Sequence, residues 1–324
     1  MTISSATAIA HPNIAFIKYW GNRDDSLRLP QNGSISMNLA ELSTRTMLTF
    51  DPSLPRDIFD LNGTRQSGES LQRVSHHLNV IRGLRGVSVH AHIMSENNFP
   101  ADAGIASSAS AFAALTLAAV NALGIEMSEK DLSRLARRGS GSACRSIPGG
   151  YVEWYRGNTD VDSFAVSIAE PGYWDLADCI AIVDTHQKRV GSSLGHTLAK
   201  SSPLQEARVL DADRRIDICK QAIRNRDFAA LAEVIELDSN LLHAIMMTSR
   251  PPLYYWQPIT LEIMRAIENW RNTGIPAAFT VDAGPNVHVI CESSSSEQVR
   301  QRLSKMPGVK EVIVAHPGGK ARLI

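Results

Sequence analysis

From Ala106 to Leu123 the apolar positions recur at helical spacing in a segment made largely of alanine and serine, entered from Ala103-Gly104. Side chains that small let neighbouring backbone approach closely. The segments around it carry strand signals: Ile14 to Trp20, Ser34 to Leu39, Thr44 to Phe50 and Val87 to Ile93 alternate or run apolar, divided by turns such as Leu61-Asn-Gly-Thr64. Ser70 to Leu84 again has helical spacing. Ser128, with Asp131 three residues on, resembles an acidic capping box and opens a helix through Arg138 that stops at Gly139-Ser-Gly141.

At 324 residues the chain exceeds the usual single-domain range. A composition shift between Ala169 and Ala177, containing Glu170-Pro-Gly172, divides it into residues 1–172 and 173–324. In the second unit Cys179 to Asp184 reads as a strand and Gln205 to Leu242 as one or two helices, with Arg250-Pro-Pro252 ending the helical region. Ile259 to Asn272 is a further helix. Ala277 to Val281, Val287 to Cys291 and Val309 to Ala315 read as strands, with Ser296 to Lys305 helical between the last two. That order predicts an α+β unit with helices on one face of an antiparallel sheet.

Lys plus Arg number 33 and Asp plus Glu 33, so no net field draws the chain to nucleic acid or an anionic membrane, and any pull on anions comes from local clusters. The first residues lack a basic start and a sustained apolar core, and nowhere do eighteen apolar residues run together. The expectation is a soluble, cytoplasmic protein. Cys144, Cys179, Cys219 and Cys291 form no CxxC pair, and the ten histidines show no HExxH spacing, so no protein-held transition metal is assigned.

Four segments carry chemistry. In Phe279-Thr-Val-Asp-Ala-Gly-Pro-Asn286 a carboxylate, Asp282, sits on a stiff turn after a strand-like run, which suits either a general base or plain turn capping. The segment Phe99-Pro-Ala-Asp-Ala-Gly-Ile-Ala-Ser-Ser-Ala109 brings N–H groups, the Ser107 and Ser108 hydroxyls and a helix N-terminus together, as an anion site or a simple cap. Lys18, Tyr19 and Trp20 end an apolar strand, either facing a ligand or as a snorkelling lysine with two core aromatics. Arg145 lies in Gly139-Ser-Gly-Ser-Ala-Cys-Arg-Ser146, a hydroxyl-rich loop whose guanidinium suits a carboxylate or phosphate, or else a surface loop. Lys188-Arg-Val-Gly-Ser-Ser-Leu-Gly195 is a weaker anion candidate.

Together with Asn13-Ile-Ala-Phe-Ile-Lys-Tyr-Trp-Gly21 and Asn97-Asn-Phe-Pro100, these motifs resemble the mevalonate diphosphate decarboxylase family of the GHMP kinase superfamily, and Leu29-Pro-Gln-Asn32, Asp238-Ser-Asn240 and His243 extend the likeness over nearly the whole chain. The resemblance implies an α+β protein with an amino-terminal α/β unit, a carboxy-terminal ferredoxin-like unit and a site in the cleft between them. It implies ATP with Mg²⁺, the metal not held by protein ligands alone, a phosphorylated mevalonate as substrate, and a homodimer. It places Asp282, Arg145, Lys18 and Asn13 in the catalytic set. Asn97, Gly104, Ala106, Ser107 and Ser108 fall on its ATP-binding positions, and Tyr19, Trp20, Asn22, Ser142, Arg145, Ser192 and Ser193 on its substrate-binding positions.

Two departures bear on the substrate. The family commonly has Lys where this chain has Asn22, and Thr or Arg where it has Ser193. A lost lysine weakens the hold on a diphosphate by about 1.5–3 kcal/mol, so mevalonate 5-phosphate is the expected substrate and isopentenyl phosphate the product. The alternative is the 5-diphosphate, with Lys188, Arg189 or Arg23 replacing the charge; a second alternative is a kinase of the same superfamily that does not decarboxylate. Asp102 has no account.

Overall fold

Strands Ser4–Ala10 and Thr44–Phe50 alternate buried and exposed positions, and they form the middle of a six-stranded sheet in a computed structural model that describes residues 3–99, 107–184 and 191–324, the side chains of 192 and 193 excepted. Across that sheet the order is Arg322–Leu323, Ser4–Ala10, Thr44–Phe50, Ala91–Asn97, Ile58–Leu61, Thr64–Arg65. Its pairings are antiparallel except Ile58–Leu61 with Ala91–Asn97. The first strand was not foreseen from the sequence. The alanine-rich helix Ser107–Ala122 lies with Gly68–Arg85 and Glu129–Gly139 in one apolar layer on this sheet, where Ala113, Ala114 and Ala118 meet Leu48, Phe50 and Ile93. Ser128 Oγ caps Glu129–Gly139 by accepting from the Asp131 amide, as the capping signal predicts.

A second, antiparallel sheet runs Ala165–Ala169, Tyr151–Trp154, Ser34–Asn38, Asn13–Ile17. The third is built from Leu176–Ile182, Ala277–Thr280, Val287–Glu292 and Glu311–Ala315. Numbered in chain order, its antiparallel strands lie 2-3-1-4, with helices between the first and second and Ser296–Ser304 between the third and fourth, which is the ferredoxin-like arrangement.

The expectation of helices on one face of this sheet is corrected. Cys179, Ala181 and Val289 pack against Ile263 and Ile267 of Pro258–Asn272 and Val299 and Leu303 of Ser296–Ser304. On the opposite face Leu176, Ile180, Ile182 and Ile290 meet Ile223 of Ala212–Asn225, Ile235 of Phe228–Thr248, and Ile14 and Phe16 of the second sheet. Every residue of Leu176–Ile182 is buried, so the strand needs apolar cover on both sides. Gln205 to Leu242 is also not one or two helices but parts of three: Gln205–Leu210, Ala212–Asn225 and Phe228–Thr248. The last break falls at Arg226, in the left-handed conformation, and at Asp227, which caps the next helix. Among the described residues no helix is long and apolar enough to cross a membrane.

Candidate active site

The chain leaves strand Asn13–Ile17 through a register shift and turns the Lys18 side chain into the protein, where it is 2 % exposed. Its main chain is pinned first. The Lys18 amide donates to Asp238 Oδ1 at 2.8 Å, and its carbonyl accepts from Asn32 at 3.0 Å and Arg208 at 2.8 Å. Asp238 is itself held by Arg215 at 2.8 Å, so a fully buried acid and two fully buried guanidinium groups set the Lys18 backbone. Nζ then reaches Asp282 Oδ1 at 2.6 Å, joining residues 264 apart in sequence.

Asp282 owes its rigidity less to Gly284-Pro285 than to helix Phe228–Thr248. The preceding residue, Val281, donates its amide to Ser239 Oγ at 2.9 Å, and its carbonyl meets His243 Nε2 at 3.2 Å. Behind the acid, the Gly284 amide closes a tight turn onto the Asp282 carbonyl at 2.7 Å, and Thr260 holds the Pro285 carbonyl. The Asp282 side chain is 27 % exposed, so the carboxylate is fixed yet reachable.

Arg145 is no surface residue: it sits at 3 % exposure in the short 3₁₀ helix Gly141–Ser146. Nε donates to Ser36 Oγ at 3.0 Å and Asn13 Oδ1 at 3.3 Å, Nη1 to Ser34 Oγ at 2.6 Å, and Nη2 to Asn13 Oδ1 at 3.2 Å. Asn13 is oriented in turn by Ser146 Oγ and the Ser142 carbonyl. All these partners are neutral. Burial lowers the Arg145 pKa, and Asp282 is near enough to act on it through space in the opposite sense. A guanidinium stays protonated even so. A buried cation left unneutralised costs several kcal/mol, so a site that solvates the charge with amide and hydroxyl oxygens and, among the described residues, supplies no bonded carboxylate is built to receive an anion.

Tyr19 leans over the same loop, and a Cβ at Gly141 would overlap its ring. Its hydroxyl donates to Asn22 Oδ1, and the Asn22 amide donates to Asp25 at 2.9 Å, so position 22 carries a local hydrogen-bond bridge and no cation. Arg23, the nearest cation in sequence, donates one Nη2 hydrogen to the Arg156 carbonyl and keeps its charge. Trp20, expected among the substrate-binding residues, lies in a buried apolar cluster with Leu242, Met246 and Leu253. Between the two rings stands His196, which sequence reasoning passed over. It stacks on Tyr19 at 4.2 Å between centroids and on Trp20 at 4.6 Å.

Ser107 and Ser108 open helix Ser107–Ala122, and Ser108 Oγ lies 3.2 Å from Ser140 Oγ, which ties the helix start to the Arg145 loop. Asn97 joins them through Thr44 Oγ1, which donates to Asn97 and lies 2.6 Å from Ser110 Oγ. Beside Gly139 a cavity of about 200 Å³ is lined by Arg28, Arg73, Arg138, His76 and His77, with Glu69 the one acid among them. Sequence reasoning missed this basic group because its members are scattered over 110 positions, although Arg28, with φ 50°, is a rare left-handed non-glycine residue. Gly104, Ala106, Asp102, Lys188 and Arg189 lie outside the described residues, as do the Ser192 and Ser193 side chains.

His77 and His243 are each 1 % exposed, and burial holds both near a pKa of about 3. Below the unfolded value of about 6.5 the unfolded chain takes up protons that the folded chain refuses, so stability falls with pH from there down to the folded pKa. Tm should therefore drop between pH 6.5 and 5, above the carboxylate range, and His77→Gln should flatten that slope. An unchanged slope in the variant would contradict a neutral buried His77.

Comparison with known proteins adds to this geometry. Residues 10–165 match the family profile described as the diphosphomevalonate decarboxylase-like N-terminal domain, and residues 179–318 match the mevalonate 5-diphosphate decarboxylase C-terminal domain. A diphosphomevalonate decarboxylase of Saccharomyces cerevisiae is 38 % identical over 91 % of this chain and 80 % of its own length. A phosphomevalonate decarboxylase of Haloferax volcanii is 33 % identical over 98 % of this chain and 97 % of its own. The solved structure of MDDEF in complex with MVAPP, AMPPCP and magnesium superposes with a TM-score of 0.95 at 38 % identity, covering 100 % of this chain and 99 % of that one.

Proposed function

The chain belongs to the diphosphomevalonate decarboxylase family, and from that premise we propose that it catalyses ATP-dependent decarboxylation of a 5-phosphorylated mevalonate. It is an ATP-dependent carboxy-lyase, with ATP supplying the phosphoryl group and Mg²⁺ travelling with its phosphates. The observation that carries the proposal is the pairing of a reachable carboxylate, Asp282, with a buried guanidinium, Arg145, that has no bonded counter-ion among the described residues. Asp282 accepts the proton of the substrate's 3-hydroxyl as that oxygen attacks phosphorus, and Lys18 keeps the carboxylate aimed. Arg145 grips the substrate carboxylate at two points until carbon dioxide leaves with the 3-phosphate. Asn13 orients Arg145.

For the nucleotide, Ser107 and Ser108 offer donors at a helix start, Asn97 is tethered to them, and the cavity of Arg28, Arg73 and Arg138 adds positive charge behind. Mg²⁺ is read as held chiefly through the nucleotide phosphates, as the family resemblance implies. A kinase without decarboxylation has no use for the Arg145 clamp; carbon dioxide released alongside ADP separates the two. Two units, 1–172 and 173–324, a cytoplasmic location and a homodimer complete the proposal.

The tail is the finer question. Relatives' names weigh toward the diphosphate and support it better than the monophosphate expected from sequence: both family profiles and the S. cerevisiae relative carry it, while the H. volcanii relative carries the monophosphate. The residue at position 22 weighs the other way, since it is an asparagine bound to Tyr19 and Asp25 and supplies no charge. We take mevalonate 5-phosphate as the preferred substrate, with the 5-diphosphate as the second reading. The ratio of kcat/KM for the two compounds should favour the monophosphate by about tenfold or more. A clear preference for the diphosphate would reverse the order.

A further inference from the structure

His196 has one nitrogen committed and one unspent. The Gly21 amide donates to its Nδ1 at 3.0 Å, so that nitrogen carries no proton and the neutral ring bears its hydrogen on Nε2. Burial, with Arg28, Arg145 and Arg208 nearby, draws its pKa down to about 3, so the neutral form prevails at neutral pH. Nε2 has no hydrogen-bond partner among the described residues, and the residue is only partly buried. The ring is held between Tyr19 and Trp20, and a Cβ at Gly195 would overlap Trp20, so the close seating of the helix on this end of the strand depends on that glycine. Tyr19 on one side of His196 is bonded to Asn22, where the cation is lacking.

We propose that His196 donates its Nε2–H to the 5-phosphate of the substrate, a neutral donor that serves where position 22 supplies no charge. This rests on the reading of a 5-phosphorylated mevalonate as substrate. A neutral hydrogen bond can satisfy one phosphate oxygen without the cationic field that a more highly charged tail calls for, so His196 is a specificity-determining residue. Two variants separate donor from packing. His196→Phe keeps an aromatic ring between Tyr19 and Trp20 but has no donor, and His196→Gln keeps an N–H donor. With whichever phosphorylated mevalonate the parent uses better, His196→Phe should raise KM about tenfold or more, leave kcat within about threefold and leave the KM for ATP unchanged, while His196→Gln stays within about threefold of the parent. A His196→Phe KM within twofold of the parent, or equal losses in both variants, would overturn the proposal. Should the parent release neither ADP nor carbon dioxide with either compound, the functional reading fails separately. The histidine is then judged by ¹⁵N NMR, assigned by difference against His196→Gln. An Nε2–H tautomer at neutral pH that shifts on adding inorganic phosphate sustains the proposal, whereas an Nδ1–H tautomer, an imidazolium or no response to phosphate defeats it.

Discussion

Asp282→Asn should lower kcat by at least about a hundredfold while leaving the KM for ATP nearly unchanged. The substitution preserves shape. The clamp on the preceding peptide comes from Ser239 and His243, which hold the Val281 amide and carbonyl, so the turn keeps its course in the variant. What is lost is the capacity to accept a proton, together with the charge that pairs with Lys18 at 2.6 Å. An amide at that position also leaves the Lys18 ammonium 2 % exposed without its counter-ion, which costs some stability; a Tm measured alongside kcat separates that loss from the chemical one. Quenched-flow measurement of ADP and carbon dioxide gives the chemical step directly. A kcat within a few-fold of the parent would remove Asp282 from the reaction.

Replacing Arg145 by methionine should cost a comparable factor in kcat/KM for the phosphorylated mevalonate. Deleting one partner of a desolvated charge pair costs about 2–5 kcal/mol, or roughly 30- to 4,000-fold, because the other charge is left buried and unpaired. In this protein that other charge arrives with the substrate. The loss should therefore appear with the mevalonate compound and not in the KM for ATP. Arg145→Lys is the finer probe. Lysine keeps the charge but cannot meet Ser34, Ser36 and Asn13 while also presenting a planar fork, so it should recover little of the activity. A less than tenfold change in kcat/KM for Arg145→Met would mean that the substrate carboxylate is held elsewhere.

Much of the secondary structure was legible because periodicity is local. The capping pair Ser128 and Asp131, the alanine-rich helix and the strands around Thr44–Phe50 and Val287–Glu292 all appear close to where the pattern put them. The errors have a shared origin. Burial of Leu176–Ile182 on both faces depends on what lies across from the strand, and the strand's own residues say only that cover is needed. Ser4–Ala10, mixing serine, threonine and alanine with a single isoleucine, gave a weak apolar signal and became a strand through its pairing with Thr44–Phe50 on one side and Arg322–Leu323 on the other.

At the site the division is similar. Motif spacing picked out Lys18, Arg145 and Asp282 as chemically suited residues, and for each the sequence left a bland reading open: a snorkelling lysine, a surface arginine, an acid capping a turn. The first two readings are closed by partners 220 and 109 positions away, since Lys18 is pinned by Asp238 and Arg145 is solvated by Ser36, while Asp282 gains in Lys18 a partner 264 positions away. His196 and Arg28 had no spacing signal at all, because their neighbours come from other segments.

The sequence by itself determined the residue types available for acid–base and anion-binding chemistry, the local helices and strands, and the absence of a cation at position 22. Tertiary structure alone decided which of those groups face one another, which guanidinium is buried without a bonded carboxylate among the described residues, and which histidine is held between two aromatic rings. The physical reason is that desolvation and Coulomb energy depend on distance and burial, which belong to the packed chain, whereas periodicity and turn chemistry act between residues a few positions apart.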